Sequence, residues 1–212
     1  MLLRASTIGL LASGCGAWTT TDPATGPRPS AWATAVERTS LPNLHRVSDV
    51  LYRGAQPDEA GFAELKALGI KTVVNLRAFH SDRSETGARG LGYEHISMKA
   101  WHPEDEDVHR FLRVVTDPTK TPIFVHCQHG ADRTGVMTAI YRIVVEGWSK
   151  EEAIDEMTQG GFGFHSIWTN LVDYVRDLDV DHIKSLTIPA EADGPTDGSA
   201  LERSRTKRIA TH

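Results

Sequence analysis

The stretch IFVHCQHGADRTGV, residues 123–136, decides the fold of this chain. It opens with an apolar, β-branched run that is typical of a buried strand. A polar loop containing a glycine follows, and apolar residues then recur at helical spacing from Val136 to Val144, with Gly147 as the stop. A buried strand that leads through a short loop into a helix is the building unit of α/β proteins.

The chain before this stretch also predicts strands that alternate with helices. Residues 43–57 alternate apolar and polar side chains around Ser48–Asp49, which predicts a short antiparallel hairpin. PDEAGFAELKALG, residues 57–69, predicts a helix with a proline in its first turn and a glycine as its stop. IKTVVNLR, residues 70–77, and YEHISM, residues 93–98, predict two strands separated by a polar segment.

Three further helices are predicted from apolar spacing and capping residues. Apolar side chains within residues 103–117 recur at i, i+3, i+4 and i+7. Ser149 and Glu152 form a capping-box pattern, and residues 165–179 predict another helix whose inner face begins with Ile167. The order of the elements predicts an α/β fold with a central, mostly parallel sheet flanked by helices.

The composition excludes some classes of function. The chain has 212 residues, of which 40% are hydrophobic and 24% are charged, as expected for one globular domain with appendages. Its formal net charge of −5 gives no general attraction to nucleic acid, and no Lys/Arg run is dense enough to predict a polybasic membrane patch. We therefore expect no nucleic acid partner, while a local basic pocket is compatible with this charge.

The first residues, MLLRASTIGLLASGC, have the layout of a secretory signal: a charge at Arg4, an apolar stretch and then small residues. The apolar stretch is far shorter than the roughly 20 residues of a membrane-spanning helix. The tetrapeptide ASGC, residues 12–15, resembles a bacterial lipoprotein box that would lipidate Cys15, and cleavage after Ala17 fits as well. We expect residues 1–17 to be a signal peptide or lipoprotein leader, and the protein to be exported, as a periplasmic protein or a membrane-anchored lipoprotein.

Changes in composition predict the domain boundaries. Residues 18–40 are rich in Thr, Pro and Ala without a sustained periodic pattern, which predicts a flexible linker. The chain becomes polar and is interrupted by Gly and Pro toward its end, so residues 185–212 are predicted to be a disordered tail. The globular domain is therefore expected to span residues 41–184.

Cys127 is the only cysteine that remains if Cys15 is removed or lipidated. A single thiol in an exported domain has no disulfide partner, which favours a nucleophilic role. We expect it in the loop after the predicted strand and at the amino end of the next helix, where ligands bind in such sheets. Backbone amides and the neighbouring Arg133 would lower the pKa of this thiol from about 8.5 into a range of about 3.5 to 7.5.

The same loop has the groups that bind a phosphoryl group. Its backbone amides match three equatorial phosphoryl oxygens, and the Arg133 guanidinium can bind two of them at once. Gly130 leaves space where the backbone turns tightly, and Thr134 can donate its hydroxyl to the thiolate or to the departing phosphate. The predicted phosphate-binding residues are Gln128, His129, Gly130, Ala131, Asp132, Arg133 and Thr134.

Residues 126–135, HCQHGADRTG, resemble the Cys-x5-Arg-Thr-Gly signature of the cysteine-dependent protein tyrosine and dual-specificity phosphatases. The segments LYRGAQP, GIKTVVNLR and GGFGFHSIW extend the resemblance over about residues 43–182, toward a bacterial branch that includes periplasmic tyrosine phosphatases. The resemblance implies a phosphatase-like fold, a phosphocysteine intermediate on Cys127 that water hydrolyses, and neither a metal nor another cofactor.

Other interpretations of Cys127 remain open. A buried cysteine can be a small hydrophobe, but that leaves Arg133 and the loop glycine unexplained. A zinc site made of His126, Cys127 and His129 would be crowded, and no further Cys/His pair follows at ligand spacing. A sulfurtransferase also uses a loop cysteine, but its loop usually differs in length and lacks the Arg-Thr ending.

A general acid must come from another loop and reach the leaving oxygen. Residues 99–111, KAWHPEDEDVHRF, lie where the resembled family usually has its catalytic aspartate, and Asp105 is the favoured residue. Asp107 is a neighbouring alternative, although acids in a first helical turn also complement the helix dipole. Asp132, within the loop, is a further candidate because some relatives have an acid there.

The residues around this loop have alternative interpretations. We expect His126 to support the loop by hydrogen bonding rather than to transfer a proton. Three aromatic residues form either a pocket wall or part of the core, and three cations either surround the mouth of the site or are solvated at the surface. The aromatic residues are Phe162, Phe164 and Trp168, and the cations are Arg53, Arg77 and Lys99.

Three functions from different classes are compatible with the sequence. The favoured one is an exported phosphatase that acts on phosphotyrosine, and also on phosphoserine or phosphothreonine, in a protein. The second uses the same mechanism on an inositol phosphate or phosphoinositide, for which a more basic loop is typical. The third is a phosphate-binding module without catalysis, which would not need both Cys127 and Arg133.

Overall fold

Residues 28–187, which the computed structural model describes, contain six strands that form one mixed sheet in the order β1-β2-β3-β6-β4-β5. The strands are β1 (Thr34–Ala35), β2 (His45–Arg46), β3 (Leu51–Gly54), β4 (Thr72–Asn75), β5 (Gly92–His95) and β6 (Ile123–His126). Strands β3, β6, β4 and β5 run parallel, while β1 and β2 extend one edge in antiparallel pairs. The predicted mostly parallel sheet and the β2–β3 hairpin are confirmed.

Seven helices accompany these strands in the described part of the chain. They are α1 (Glu59–Ala67), α2 (Arg83–Gly87), α3 (Asp105–Val115), α4 (Asp132–Val144), α5 (Lys150–Gln159), α6 (Thr169–Asp177) and α7 (Val180–Thr187). The capping box is confirmed, because the Ser149 hydroxyl accepts from the Glu152 amide and the Glu152 side chain accepts from Ser149. Helix α2 has five residues, too short for a periodic signal, and the sequence did not predict it.

Alternating side chains place two apolar clusters on opposite faces of the sheet. Val73 and Phe124 belong to the smaller cluster, with Phe62 and Leu65 of α1. Their chain neighbours Val74 and Val125 belong to the larger cluster, with side chains of α3 to α7. Since successive strand residues point to opposite faces, the parallel strands are apolar on both sides.

The described structure differs from the predicted start of the globular domain. The compact unit that contains the sheet begins at Ala31 rather than at residue 41. Within the predicted linker, Ala33 is buried and its amide donates to Glu156 Oε1 at 2.6 Å, and β1 pairs with β2. A two-residue strand gives no periodic pattern that could reveal it.

The carboxyl-terminal helical region also differs from its prediction. Helix α6 begins at Thr169 instead of residue 165, and Ile167, predicted to face inward, is 76% exposed. Helix α7 extends to Thr187, past the predicted start of the tail. The leader, the first part of the linker and the rest of the tail lie outside the described residues 28–187.

Candidate active site

A short loop connects the carboxyl end of β6 to the amino end of α4. Cys127 directly follows β6, and α4 begins at Asp132 after Ala131. Gly130 has a φ of +69°, and a Cβ there would lie 2.4 Å from the carbonyl carbon of Gly54. Only glycine fits both this backbone conformation and this contact with the end of β3, which confirms the predicted tight turn.

Cys127 is buried, with 2% of its surface exposed. Burial by itself raises the pKa of the thiol, but hydrogen bonds from the Thr134 hydroxyl and amide, the Arg133 charge and the His129 amide outweigh it. The net effect is a pKa below the ordinary value of a cysteine, as the sequence predicts. The thiolate is the nucleophilic form, so this environment favours reaction at sulfur.

Thr134 and Arg133 lie in the first turn of α4. Thr134 is fully buried, and its hydroxyl is the group that most strongly lowers the pKa of the Cys127 thiol. Arg133 is half-buried and donates from Nη1 to the Leu76 carbonyl at 3.4 Å, beyond the end of β4. It therefore connects the loop to the neighbouring strand and lines the cleft beside the loop.

Arg53 of β3 lies beneath the loop and is fully buried. Its Nη2 is 2.8 Å from the Gly130 carbonyl and 3.5 Å from the Ala131 carbonyl, and its guanidinium packs 3.8 Å from the centre of the Phe162 ring. The predicted place of Arg53 at the mouth or in solvent is therefore wrong. Alternation in β3 places Arg53 on the same side as the buried Leu51, a signal that was available in the sequence.

Asp82 is a buried carboxylate that the sequence did not single out. It is 1% exposed, and its oxygens accept from Gln56 Nε2 and Asn75 Nδ2, each at 2.7 Å. Asp82 Oδ2 also lies 3.0 Å from His126 Nε2, and the other ring nitrogen of His126 is 3.2 Å from the Cys127 carbonyl. Burial raises the pKa of Asp82, but His126, Gln56 and the nearby His80 more than compensate and leave it lowered.

His126 therefore connects Asp82 to the loop. It is fully buried, and its ring stacks on Phe124 with centres 5.6 Å apart. This position agrees with the predicted role of His126 as a support.

The three candidate acids occupy different environments. Asp132 is 7% exposed and accepts from the His165 amide at 2.9 Å, while its Oδ2 is 2.9 Å from His165 Nδ1. Asp105 is exposed at the start of α3 and accepts from the Tyr174 hydroxyl at 2.6 Å. Asp107 has a raised pKa because of burial and the nearby Glu104 charge. None of the three is among the described residues that line the cleft beside Arg133.

That cleft has a volume of about 250 Å³ and combines cations with aromatic rings. Its lining residues are Arg77, Ala78, Phe79, Met98, Lys99, Ala100, Trp101, Gln128, Arg133 and Trp168. The structure thus confirms Arg77 and Lys99 at the mouth and Trp168 in the wall. Phe162 is instead a core residue at 2% exposure, and Phe164 packs against the core and lines a separate groove.

Comparison with known proteins identifies the family. The family model described as "DSP-PTPase phosphatase fused to NAD+ Kinase" matches residues 31–172. The chain belongs to the dual-specificity-type cysteine-dependent phosphatases. Dual specificity protein phosphatase TpbA from Pseudomonas aeruginosa strain UCBPP-PA14 is 38% identical over 159 residues, which are 74% of this chain and 72% of TpbA.

Solved structures and a plant relative extend this comparison. A crystal structure of a cysteine-to-serine variant of P. aeruginosa TpbA in complex with pTyr is 36% identical, with a TM-score of 0.69. It covers 77% of this phosphatase and is itself covered completely. Inositol diphosphatase DSP5 from Arabidopsis thaliana is 26% identical over 125 residues, which are 54% of this chain and 60% of the plant protein.

Two further findings concern the described residues of this phosphatase. No helix within residues 28–187 is long and apolar enough to cross a membrane. Over the same range, no three His, Cys, Asp or Glu side chains are grouped so that they could hold a metal ion.

Proposed function

We propose that this phosphatase hydrolyses phosphomonoesters through a phosphocysteine on Cys127, with phosphotyrosine in a protein as the favoured substrate. The observation that carries the proposal is the buried Cys127 thiol, whose pKa is lowered by Thr134 and by Arg133, while Arg133 also lines the adjacent cleft with aromatic walls. The similarity to TpbA, and to its complex with pTyr, supports the same class of substrate.

The proposed reaction has two steps at sulfur. The Cys127 thiolate attacks phosphorus, a phosphorus–sulfur bond forms, and the ester bond to the leaving oxygen breaks as that oxygen takes a proton from an acid. Water then attacks phosphorus and gives a proton to the carboxylate left by the first step; the phosphorus–sulfur bond breaks, which releases inorganic phosphate and returns the thiolate. The Arg133 guanidinium and the loop amides bind the equatorial oxygens and stabilise the charge on them in both transition states.

Asp105 remains our proposed general acid, with Asp132 as its competitor. Asp105 follows a segment whose Trp101 lines the cleft, and the Tyr174 hydroxyl holds its carboxylate in place. Asp132 is adjacent to Arg133 in sequence, but both of its oxygens interact with His165. To reach the leaving oxygen, Asp105 would have to move with its segment and give up one contact, to Tyr174, whereas Asp132 would have to give up its contacts with both the amide and the ring of His165.

Substitution of each acid tests this assignment. We expect Asp105→Asn to lower kcat by about 10²- to 10⁴-fold on a phosphotyrosine peptide, and much less on an aryl phosphate with a good leaving group, because the latter needs no proton. Asp155→Asn, at an exposed position of α5, is the matched control and should stay near the parent, and Asp107→Asn tests the neighbouring candidate. Near-parent activity of Asp105→Asn together with a crippled Asp132→Asn would transfer the role to Asp132.

A specific feature of the cleft favours an inositol phosphate as the second candidate substrate. Three of its lining residues, Arg77, Lys99 and Arg133, are cations, and a ligand with several phosphates could contact more than one of them. DSP5, named an inositol diphosphatase, is a relative over about half of the chain.

Phosphate release by the purified protein tests the proposed function. Parent and Cys127→Ser proteins would be compared on phosphotyrosine and phosphoserine peptides and on an inositol polyphosphate, in reducing buffer without added metal. Cys127-dependent release from the phosphotyrosine peptide is the expected result. Preference for the inositol compound would make an inositol phosphate the assigned substrate. No phosphate release from any of the three would contradict the proposed phosphatase activity.

We also propose that the protein is exported, as a periplasmic protein or a lipoprotein. Support comes from the charged, apolar and small residues in sequence order within residues 1–17, and from Cys15 in the lipoprotein-like tetrapeptide. Fractionation of bacterial cells that express the full chain tests this. We expect parent protein outside the cytoplasm, and release from the membrane in Cys15→Ala if the lipid anchor is used; cytoplasmic parent protein would contradict export.

A further inference from the structure

Three successive backbone carbonyls of the loop between β6 and α4 accept hydrogen bonds from outside the loop. They are the carbonyls of Gln128, His129 and Gly130. Their donors, in the same order, are the Gln56 amide at 3.2 Å, Asn43 Nδ2 at 3.0 Å and Arg53 Nη2 at 2.8 Å. All three donors lie in or beside the hairpin of β2 and β3, so this hairpin holds the outer side of the loop.

The direction of each carbonyl fixes the direction of the next amide in the chain. A trans peptide unit is planar, and its N–H points opposite to its C=O. The unit between Gln128 and His129 shows this, because its carbonyl faces outward and its amide donates to the Cys127 thiol. By the same geometry, the His129 carbonyl that faces Asn43 leaves the Gly130 amide directed into the loop, where a phosphoryl oxygen would bind.

The backbone of Asn43 has a conformation that few residue types adopt. Its φ is +57°, in the left-handed region, and within residues 28–187 it is the non-glycine residue with a positive φ. Asparagine tolerates this region better than most residues do, and glycine adopts it readily. Leu41 and Leu44 on either side are buried and hold this turn in place. Such conformations persist where the surrounding structure enforces them, and they are frequent at functional sites.

The side-chain amide of Asn43 has a single orientation that satisfies its neighbours. Nδ2 also donates to the Phe162 carbonyl at 2.9 Å, so its two N–H groups have two carbonyl acceptors. The opposite orientation would place Oδ1 against two carbonyl oxygens. Asn43 therefore joins the loop to the connection between α5 and α6, beside the Arg53 that holds the next carbonyl of the loop.

We propose that Asn43 is a positioning residue for the phosphatase reaction: by holding the His129 carbonyl away from the site, it keeps the Gly130 amide directed at the phosphoryl group. This inference deepens the proposed function and rests on it for the phosphoryl ligand. The role differs from that of Thr134, because the peptide unit that Asn43 holds is not the one whose amide donates to Cys127. Loss of the Asn43 side chain should therefore weaken phosphate binding and leave the pKa of the thiol unchanged.

Binding of inorganic phosphate to the Cys127→Ser protein tests this role without turnover. Asn43→Gly removes the side-chain amide but keeps a residue that readily adopts the φ of +57°. We expect Asn43→Gly and Asn43→Ala each to weaken phosphate binding by about tenfold in calorimetry, which corresponds to one hydrogen bond to a charged group. Thr72→Val is the matched control: it removes a side-chain bond to the Lys120 carbonyl at the amino end of β4, and phosphate binding should stay that of the parent.

Stability and thiol alkylation separate a positioning role from a general disturbance of the fold. Urea unfolding should show Asn43→Ala to be less stable than Asn43→Gly, because alanine is strained at a positive φ. Equal losses of phosphate binding in the two variants would then exclude an effect through stability. In the protein that retains Cys127, the rate of alkylation against pH should be the same in Asn43→Gly as in the parent.

The outcomes distinguish this inference from the proposed function. Parent-like phosphate binding by Asn43→Gly would overturn the inference, and so would a shifted alkylation profile, while Cys127-dependent turnover by the parent would still support the proposed function. Weakened phosphate binding in Asn43→Gly with no turnover by the parent would support the inference and contradict the proposed reaction.

Discussion

The two sides of the phosphate-binding loop differ in burial and in chemistry. Beneath it, Arg53, Asp82 and His126 are at most 1% exposed and connected by polar contacts to the loop or to one another. At the mouth, Phe79 and Trp101 are mostly exposed. Groups beneath the loop hold its backbone and the end of β6 in position, whereas groups at the mouth face the solvent from which a substrate would enter. Mutations on the two sides should therefore have different effects: stability and pH dependence below, and substrate preference above.

Loss of the Asp82 charge should give the largest effect on stability. In Asp82→Asn, one amide nitrogen must face the donors of Gln56 or Asn75, so a buried polar contact is lost. We expect the free energy of unfolding at pH 7 to fall by about 1–3 kcal/mol. Urea unfolding measures this, and Asp155→Asn, on the exposed surface of α5, is the matched control.

The pH dependence of that effect has a definite sign. The pKa of Asp82 in the folded protein lies below the ordinary value of an aspartate, so its stabilisation is present above the unfolded pKa and is lost as pH falls through the folded pKa. The difference in the free energy of unfolding between the parent and Asp82→Asn should therefore be largest at neutral pH and become smaller in strong acid. A difference that grows toward acid would show that Asp82 is neutral in the folded protein.

Thr134→Val should give an intermediate effect that acts on Cys127. The Thr134 hydroxyl lowers the pKa of the Cys127 thiol, so its removal raises that pKa. Because the thiolate is the reactive form, the acidic limb of kcat/KM should move to higher pH.

The rate of thiol alkylation against pH gives a second readout of the Thr134 effect. It should shift in parallel with the activity, and Thr134→Ser, which keeps the hydroxyl, should follow the parent in both measurements. If the alkylation profile of Thr134→Val were unchanged, the Thr134 hydroxyl would not lower the pKa of Cys127.

The residues that the sequence predicted are those set by local pattern. Strand β6, the loop with Cys127 and Arg133, and the start of α4 follow each other without interruption, so periodicity and the glycine position sufficed. Asp82 and Phe79 belong to the polar segment between the predicted strands at residues 70–77 and 93–98, where no period is present. They lie near the site because of the sheet topology: β6, the last strand in sequence, is inserted between β3 and β4.

The register of the β4–β6 pair explains why the proximity of Asp82 to Cys127 could not be predicted from the sequence. Asn75 and His126 are direct partners in the β4–β6 pair, and this pairing brings the end of β4, with Asp82 beyond it, next to Cys127. The contact joins residues that are far apart in the chain and depends on the order of the strands, which no local pattern displays. The aromatic wall is a similar case, since Phe79, Trp101 and Trp168 come from three separate connections.

Lys99→Ala should give the smallest effect and shows whether the mouth acts through charge. Lys99 is exposed and lines the cleft, so its attraction to a phosphate is weakened by water and by salt. We expect kcat/KM on a phosphotyrosine peptide to fall by about two- to fivefold at low ionic strength and to return toward the parent in about 0.5 M salt. Lys71→Ala, one residue before the start of β4, is the matched control. If the loss were insensitive to salt, Lys99 would bind the substrate directly. The mouth would then select by charge, and an inositol phosphate would become the better substrate.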